Sequence, residues 1–252
     1  MYDFQRAGMW KRISAALLDV ILLAIAVVGF ALLLATVLNY NGYYERMNAA
    51  YDQYEEIYGV SLDMTSEEYE KLPDPEKELY KMAVKEFSAD YEVNYVYRMM
   101  FNYTLIITIF SFLLGFLLLE FLVPILFKNG QTIGKKIFGV GLMREDGVKI
   151  TPFLLFARTV LGKYTLETMF PVLVLTLIYF GVMGIIGTIA VVGMWLFNLI
   201  LLFATKARTP IHDKMAHTVA VDLASQMIFD TPEAMLAYKK RIHAESVEDM
   251  HS

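Results

Sequence analysis

The chain has 252 residues, of which 57% are hydrophobic and only 19% are charged, and its mean hydropathy is +0.46. This is far more apolar than a soluble domain of the same length, so lipid must be the solvent for much of the chain. The absence of cysteine excludes disulfides, thiolate zinc sites and cysteine nucleophiles. The formal net charge of −5 does not set an orientation in the membrane, because Lys and Arg in the individual loops decide it.

The first apolar stretch, residues 13–38, is long enough to cross a hydrocarbon core of about 30 Å as a helix. Basic residues precede it, as they do in a signal peptide. However, the stretch is longer than the apolar region of a signal peptide, and the residues that follow it, Asn39-Tyr40-Asn41, do not resemble a cleavage site. We therefore predict an uncleaved first span.

The segment that follows is acidic and has a helical pattern. Residues 45–98 contain fourteen acidic and six basic residues, which is typical of a loop outside the cytoplasm. Met47, Tyr51, Tyr54 and Tyr58 follow helical spacing, and helix starts are predicted at Thr65 and at Pro73. We expect a helical extracytoplasmic cap, followed by a second span at residues 99–127.

The next loop is basic, and its pattern predicts β-structure. Residues 128–164 contain seven bases and two acids, so the loop and the N-terminus are predicted to be cytoplasmic. An apolar run at 137–143 precedes Asp146-Gly147, which is typical of a hairpin turn, and residues 218–221 could add a third strand. Residues 152–163 predict an amphipathic helix on the membrane surface. Four basic side chains are predicted to contact lipid phosphates: Lys135, Lys136, Arg158 and Lys163.

The apolar region at residues 168–205 would be about 57 Å long as one straight helix, nearly twice the thickness of the hydrocarbon core. Three glycines lie near its middle, and bases flank both ends. We predict two short spans that form a hairpin, which places both termini in the cytoplasm. The alternative is an interfacial helix leading into one kinked span, with the glycines as a close-packing face.

Ionisable and polar residues inside the spans need partners or a purpose, because an unpaired charge in the bilayer costs several kcal/mol. Asp19, Glu120 and Asn198 each lie seven or eight residues from a basic residue at the cytoplasmic end of their span, which places them at a similar depth. They are candidates to bind a cation or to share a proton. In the structural alternative, Asp19 pairs with Arg12 or with a lysine of the cytoplasmic module and locks the bundle.

Searches for enzyme motifs fail. The segment Gly130-Gln-Thr-Ile-Gly-Lys-Lys136 is too short for a P-loop and does not follow a strand. His212 and His217 lack the spacing of a metal site, so we predict surface histidines. We expect no catalytic residue, no metal, no cofactor and no nucleic-acid partner.

Several of these pieces together resemble the RDD family. The resemblance covers roughly residues 8–38 and 100–222, including the 130–139 segment, the turn at 143–147 and the strand at 218–221. Arg12, Asp19 and Asp213 match the arginine and the two aspartates that name the family. The resemblance implies a bacterial inner or plasma membrane and a largely uncharacterised function, with transport of ions or other ligands suggested for some members. It also suggests that Asp213 folds back onto Arg12 as a gating or structural charge.

The sequence thus predicts an all-α membrane protein of about four transmembrane helices, with a helical cap outside and a small hairpin or three-stranded element inside. Its segments are 1–38 (N-terminus and first span), 39–98 (acidic loop), 99–127 (second span), 128–164 (hairpin and amphipathic helix), 165–205 (third and fourth spans), 206–223 (Asp213 motif and strand) and 224–252 (helical tail).

Two functional hypotheses follow from these segments. The first is transport of a cation, or transport coupled to protons, through the polar cluster. Four spans are few for one transporter, so this role would require a homo-oligomer. The second is a non-enzymatic adaptor that regulates another membrane protein, such as a peptidase, through the outer loop and the tail.

Overall fold

The computed structural model describes residues 5–203 and 210–251. The described chain is mainly helical, with two π-helical segments and two short strands. The helices are α1 (Met9–Val37), α2 (Tyr40–Tyr58), α3 (Ser66–Lys71), α4 (Asp74–Ala89), α5 (Tyr91–Phe116), α6 (Val123–Leu126), α7 (Ile133–Ile137), α8 (Pro152–Phe156), α9 (Phe170–Tyr179), α10 (Ile185–Phe203), α11 (Ile211–Met215) and α12 (Pro232–His251). The first π-helical segment is Leu117–Leu122, the second is Ala157–Met169, and the strands are β1 (Val140–Arg144) and β2 (Thr218–Asp222).

Three helices of the described chain are long and apolar enough to cross a membrane. They are Met9–Val37, Tyr91–Leu126 and Pro152–Tyr179. The second contains the first π-helical segment, and the third contains the second π-helical segment. The protein is therefore a membrane protein with three candidate spans, and α10 as a fourth span stays a prediction.

The third candidate span differs from the sequence prediction. Residues 152–163 were expected to form a separate surface helix, but the structure continues that helix without interruption to Tyr179. The charges of Arg158, Lys163 and Glu167 made this part of the sequence look too polar for a span. Their partners inside the protein, described below, account for the difference.

The long apolar region is divided into two helices. α9 ends at Tyr179, Gly181 adopts a positive φ of 71°, and α10 begins at Ile185. The two helices pack closely at Gly187, where an added Cβ would lie 3.2 Å from Val174 Cγ1. The glycines therefore supply both the turn and the close packing.

The chain divides into two compact units, and residues Ala31–Phe110 form one of them. The core of this unit contains Met47, Val93 and Val96. α3 begins with a capping box, in which Thr65 Oγ1 accepts from the Glu68 amide and the Glu68 carboxylate accepts from the Thr65 amide. The helix start predicted at Thr65 is present, as is the start at Pro73 that precedes α4.

The second unit is Met1–Phe30 with Ser111–Ser252, and its described residues contain a two-stranded antiparallel sheet rather than a three-stranded element. β1 pairs with β2, with Val140 opposite Asp222. The Asp146-Gly147 turn forms, and the Gly147 amide donates to the Arg144 carbonyl oxygen at 3.0 Å. The prediction that residues 148–150 form the second strand of a hairpin is wrong. Met143 and Lys149 form a single bridge, and the Lys149 amide donates to the Phe229 carbonyl oxygen.

Candidate functional site

Asp19 connects α1 to α7. Its carboxylate accepts hydrogen bonds from Thr132 Oγ1 and from the Gly134 amide, the latter at 2.8 Å. Thr132 is the N-cap of α7, where amide groups lack partners within the helix. An added Cβ at Gly134 would lie 2.2 Å from the Ala15 carbonyl oxygen, so only glycine allows α7 to approach α1 this closely. Asp19 therefore has a structural role in this arrangement.

Glu120 is buried in the first π-helical segment. Its Oε1 forms an ion pair with Lys163 Nζ at 2.7 Å. The backbone carbonyl oxygen of Glu120 accepts a hydrogen bond from Thr159 Oγ1 at 3.0 Å. These two contacts join the first π-helical segment to the second. In the described part of the chain, the other carboxylate oxygen, Oε2, is buried and has no hydrogen-bond partner.

Asp213 forms a buried ion pair with Arg158. Arg158 Nε and Nη2 lie 2.8 and 2.7 Å from Asp213 Oδ1, and the two side chains are only 3% and 4% exposed. Thr218 Oγ1 donates to the same oxygen at 3.0 Å. Burial by itself raises the pKa of Asp213, but the neighbouring positive charges, above all Arg158, outweigh it and hold that pKa well below its usual range. Asp213 is therefore ionised at every physiological pH.

His212 is held by the second π-helical segment. Its Nδ1 lies 2.7 Å from Glu167 Oε2, and its backbone amide donates to Glu167 Oε1 at 3.0 Å. An added Cβ at Gly162 would lie 2.6 Å from His212 Cβ, so the two backbones are in close contact. Burial is the main cause that lowers the pKa of His212, which favours a neutral imidazole near pH 7.

The π-helical geometry brings these partners to one face. Arg158 and Glu167 are nine residues apart, which is about two and a half turns of an α-helix and would point them to opposite sides. In the wider π-helix, with its i→i+5 hydrogen bonds, nine residues come close to two full turns. Both side chains therefore reach α11, where Asp213 and His212 lie side by side.

Lys135 lies in α7 and points its ammonium into the same region. The nitrogen is buried and, among the residues that the structure describes, has no hydrogen-bond partner. Burial, followed by repulsion from Arg158 and Lys163, lowers the pKa of Lys135 to about 8, although Glu120 and Asp213 oppose this change. The amino group is therefore close to the balance between its charged and neutral forms.

We refer to these side chains together as the buried charge cluster. Its members are Glu120, Lys135, Arg158, Lys163, Glu167, His212 and Asp213. With a neutral imidazole the cluster has three positive and three negative groups and no net charge. In residues 5–203 and 210–251, no group of three or more His, Asp or Glu side chains has the arrangement of a metal site.

Comparison with protein families gives one match. The model of the RDD family matches residues 6–217, which is most of the chain. The protein therefore belongs to the RDD family. No match is found among curated proteins or among solved structures.

The structure places the predicted RDD residues in different surroundings. Asp19 binds the start of α7, and Asp213 belongs to the buried charge cluster, where Arg158 is its ion-pair partner. The expected partner of Asp213 was Arg12, which lies in the first turn of α1. Glu120 is also in the cluster, whereas the side chain of Asn198 lies outside the described part of the chain. Asp19 and Glu120 thus have separate sets of hydrogen-bond partners instead of forming one shared site.

Three of the four predicted lipid contacts need correction. Arg158 is bound to Asp213, Lys163 is bound to Glu120, and the ammonium of Lys135 is buried, so these cations face protein groups instead of lipid phosphates. Lys136 is exposed, with its ammonium 3.7 Å from the centre of the Phe127 ring, and its lipid contact stays a prediction.

Two members of the cluster were missed by sequence reasoning. His212 was expected at the surface but is buried, whereas the His217 side chain is 82% exposed. Glu167 was not considered because it precedes the apolar region that was interpreted as the third span. The sequence does contain a signal for Glu167: it is an acidic residue within a helix that continues into that span, and such a residue needs a partner.

Proposed function

We propose that this RDD-family membrane protein exchanges a monovalent cation for a proton, with the buried charge cluster as its site. The observation that supports this is a cluster of three carboxylates and three basic side chains, four of which (Glu120, Arg158, Lys163 and Glu167) lie in two candidate spans. Ionisable groups at membrane depth are costly and are typical of ion or proton pathways.

The charge balance of the cluster favours exchange over simple binding. Because the charged groups compensate one another in a region of low dielectric constant, adding one cation without removing a charge is unfavourable. Loss of one proton from the cluster compensates exactly one added monovalent cation. A buried site of this kind therefore couples the two ions electrostatically.

The membrane arrangement is part of the same proposal. Membership of the RDD family supports a bacterial inner or plasma membrane location, and the excess of Lys and Arg in residues 128–151 supports cytoplasmic termini. The transporter would consist of several copies of the chain, because three candidate spans and α10 are few for one complete pathway.

The test is sodium flux into proteoliposomes under an imposed pH gradient. Glu120→Gln removes the charge of a buried carboxylate and should lower the initial rate about 10-fold to 100-fold, the range expected for losing a hydrogen bond to a charged group. Asp19→Asn should lower it less, because Asp19 positions α7 and lies outside the cluster. Glu145→Gln alters a carboxylate that is more than half exposed and should leave the rate unchanged. Wild-type flux no greater than that of empty liposomes would exclude transport.

A second candidate function is that of an adaptor for another membrane protein. It is supported by the compact unit Ala31–Phe110, which has a core of its own, and by the helix Pro232–His251. Affinity capture from native membranes should recover a specific membrane protein with the full chain. It should fail to do so when residues 45–98 or 224–252 are removed, and recovery of the same proteins in all three cases would exclude this role for those segments.

A further inference from the structure

Two buried polar atoms in the cluster lack partners. Among the described residues, Lys135 Nζ has no acceptor and Glu120 Oε2 has no donor, although both atoms are shielded from solvent. No ion pair joins the two residues, so their charges interact without direct contact. Unsatisfied buried groups of this kind are rare in folded proteins, so the two atoms require a functional explanation.

We propose that Lys135 is the proton carrier of this site and that a monovalent cation bound at Glu120 Oε2 takes the place of its positive charge. The inference rests on the proposed function and assigns the proton to one residue. Lys135 loses one proton to water as one cation enters, so the charged ammonium becomes a neutral amine and the total charge of the cluster does not change.

The surroundings of Lys135 support this assignment. Arg158 and Lys163 of the second π-helical segment repel the ammonium, whereas Glu120 of the first π-helical segment and Asp213 of α11 attract it. Lys163 and Arg158 already hold their own carboxylates at 2.7 Å, which leaves Lys135 as the cation of the cluster without a bound acceptor in the described chain. The lowered pKa of about 8 means that removing its proton near neutral pH costs little.

The neighbouring groups make poorer carriers. Arg158 keeps its proton at all accessible pH values, because a guanidinium has a pKa above about 12. Asp213 is held ionised by Arg158. His212 lies in α11 with its Nδ1 held by Glu167 Oε2 at 2.7 Å, and burial lowers its pKa, so it carries no proton to release near pH 7.

The first experiment measures proton release from the wild-type protein. Sodium chloride is added to the purified full chain in weakly buffered detergent solution, with choline chloride as the control salt, and a pH-sensitive dye reports the protons. We expect about one proton per bound sodium ion well below pH 8 and a decline towards zero above it, as Lys135 becomes neutral beforehand. The apparent sodium affinity should rise about tenfold per pH unit below pH 8 and then level off.

The second experiment uses two variants in proteoliposomes. Lys135→Arg keeps a permanent charge and should abolish both sodium flux and proton release. Lys135→Met removes the charge and should let sodium move without a counter-moving proton, so that transport becomes sensitive to an imposed membrane potential. Elution as a single species in size-exclusion chromatography confirms that each variant is folded, and the wild-type proton release tests the proposal independently of both variants.

The outcomes separate the two proposals. If the wild type shows no sodium flux, the proposed function fails. If the wild type exchanges sodium for protons but Lys135→Met still moves one proton per sodium ion with an unchanged pH profile, transport stands and the assignment to Lys135 is overturned. Sodium binding by the wild type below pH 8 without proton release overturns it as well.

Discussion

Replacing Arg158 by methionine is expected to destabilise the protein by about 3–5 kcal/mol, the usual cost of removing one partner of a buried ion pair. The carboxylate of Asp213 would remain buried, since its side chain is only 4% exposed. It would keep Thr218 as a hydrogen-bond donor but would lose both contacts from the guanidinium. Equilibrium unfolding in mixed detergent micelles, followed by circular dichroism, measures the change in free energy.

The matched variants decide whether the buried pair is the cause. Asp213→Asn should cost a similar amount, and the double variant Arg158→Met with Asp213→Asn should recover more than half of the larger loss, because no unpaired charge remains. Arg144→Met breaks a partly exposed ion pair with Asp146 and should cost less than about 1 kcal/mol. Additive losses in the double variant would show that Arg158 and Asp213 do not stabilise the protein through each other.

Replacing Gly134 by alanine is expected to separate α7 from α1. The new Cβ would lie 2.2 Å from the Ala15 carbonyl oxygen and 2.9 Å from Asp19 Cγ, and the backbone atom cannot move as a flexible side chain can. Overpacking of this kind costs about 1–3 kcal/mol and sometimes more, and here we expect the upper end because the hydrogen bond from the Gly134 amide to Asp19 must also lengthen. The same unfolding measurement applies.

Gly29→Ala is the control for this prediction, because Gly29 lies in α1, the helix that α7 contacts, and an added Cβ there has no atom within 4 Å. Its effect should stay within about 1 kcal/mol, and its sign should be stabilising because alanine favours the helix more than glycine does. Equal stability of the Gly134→Ala and Gly29→Ala variants would contradict the close contact between α7 and α1.

The sequence alone determined the class of protein and the family. Apolar runs of 20 residues or more can be satisfied only by lipid, so the first two candidate spans could be placed from composition and length. The helices of residues 40–89 were also predictable, because tyrosine spacing and the capping residues Thr65 and Pro73 act within a few positions of the chain.

Partners that are distant in sequence could not be predicted in the same way. Asp213 was expected to lie near Arg12, and Arg158 was expected to contact lipid. Instead Arg158 and Asp213, 55 positions apart in the sequence, form one buried ion pair. The strand beside β1 is β2, which was expected only as a third strand added to a hairpin of residues 137–143 and 148–150. Pairing depends on which side chains the fold brings within a few ångströms, and no local pattern records that.

The tertiary structure also decided which residues form the buried charge cluster. In an α-helix, Arg158 and Glu167 would point in opposite directions, and the π-helical turns of residues 157–169 bring both to α11. A π-helix forms where packing compensates for its poorer backbone geometry, so it follows from the contacts of the whole unit. Composition and period therefore determined that this chain enters a membrane, whereas packing alone determined which of its charges meet there.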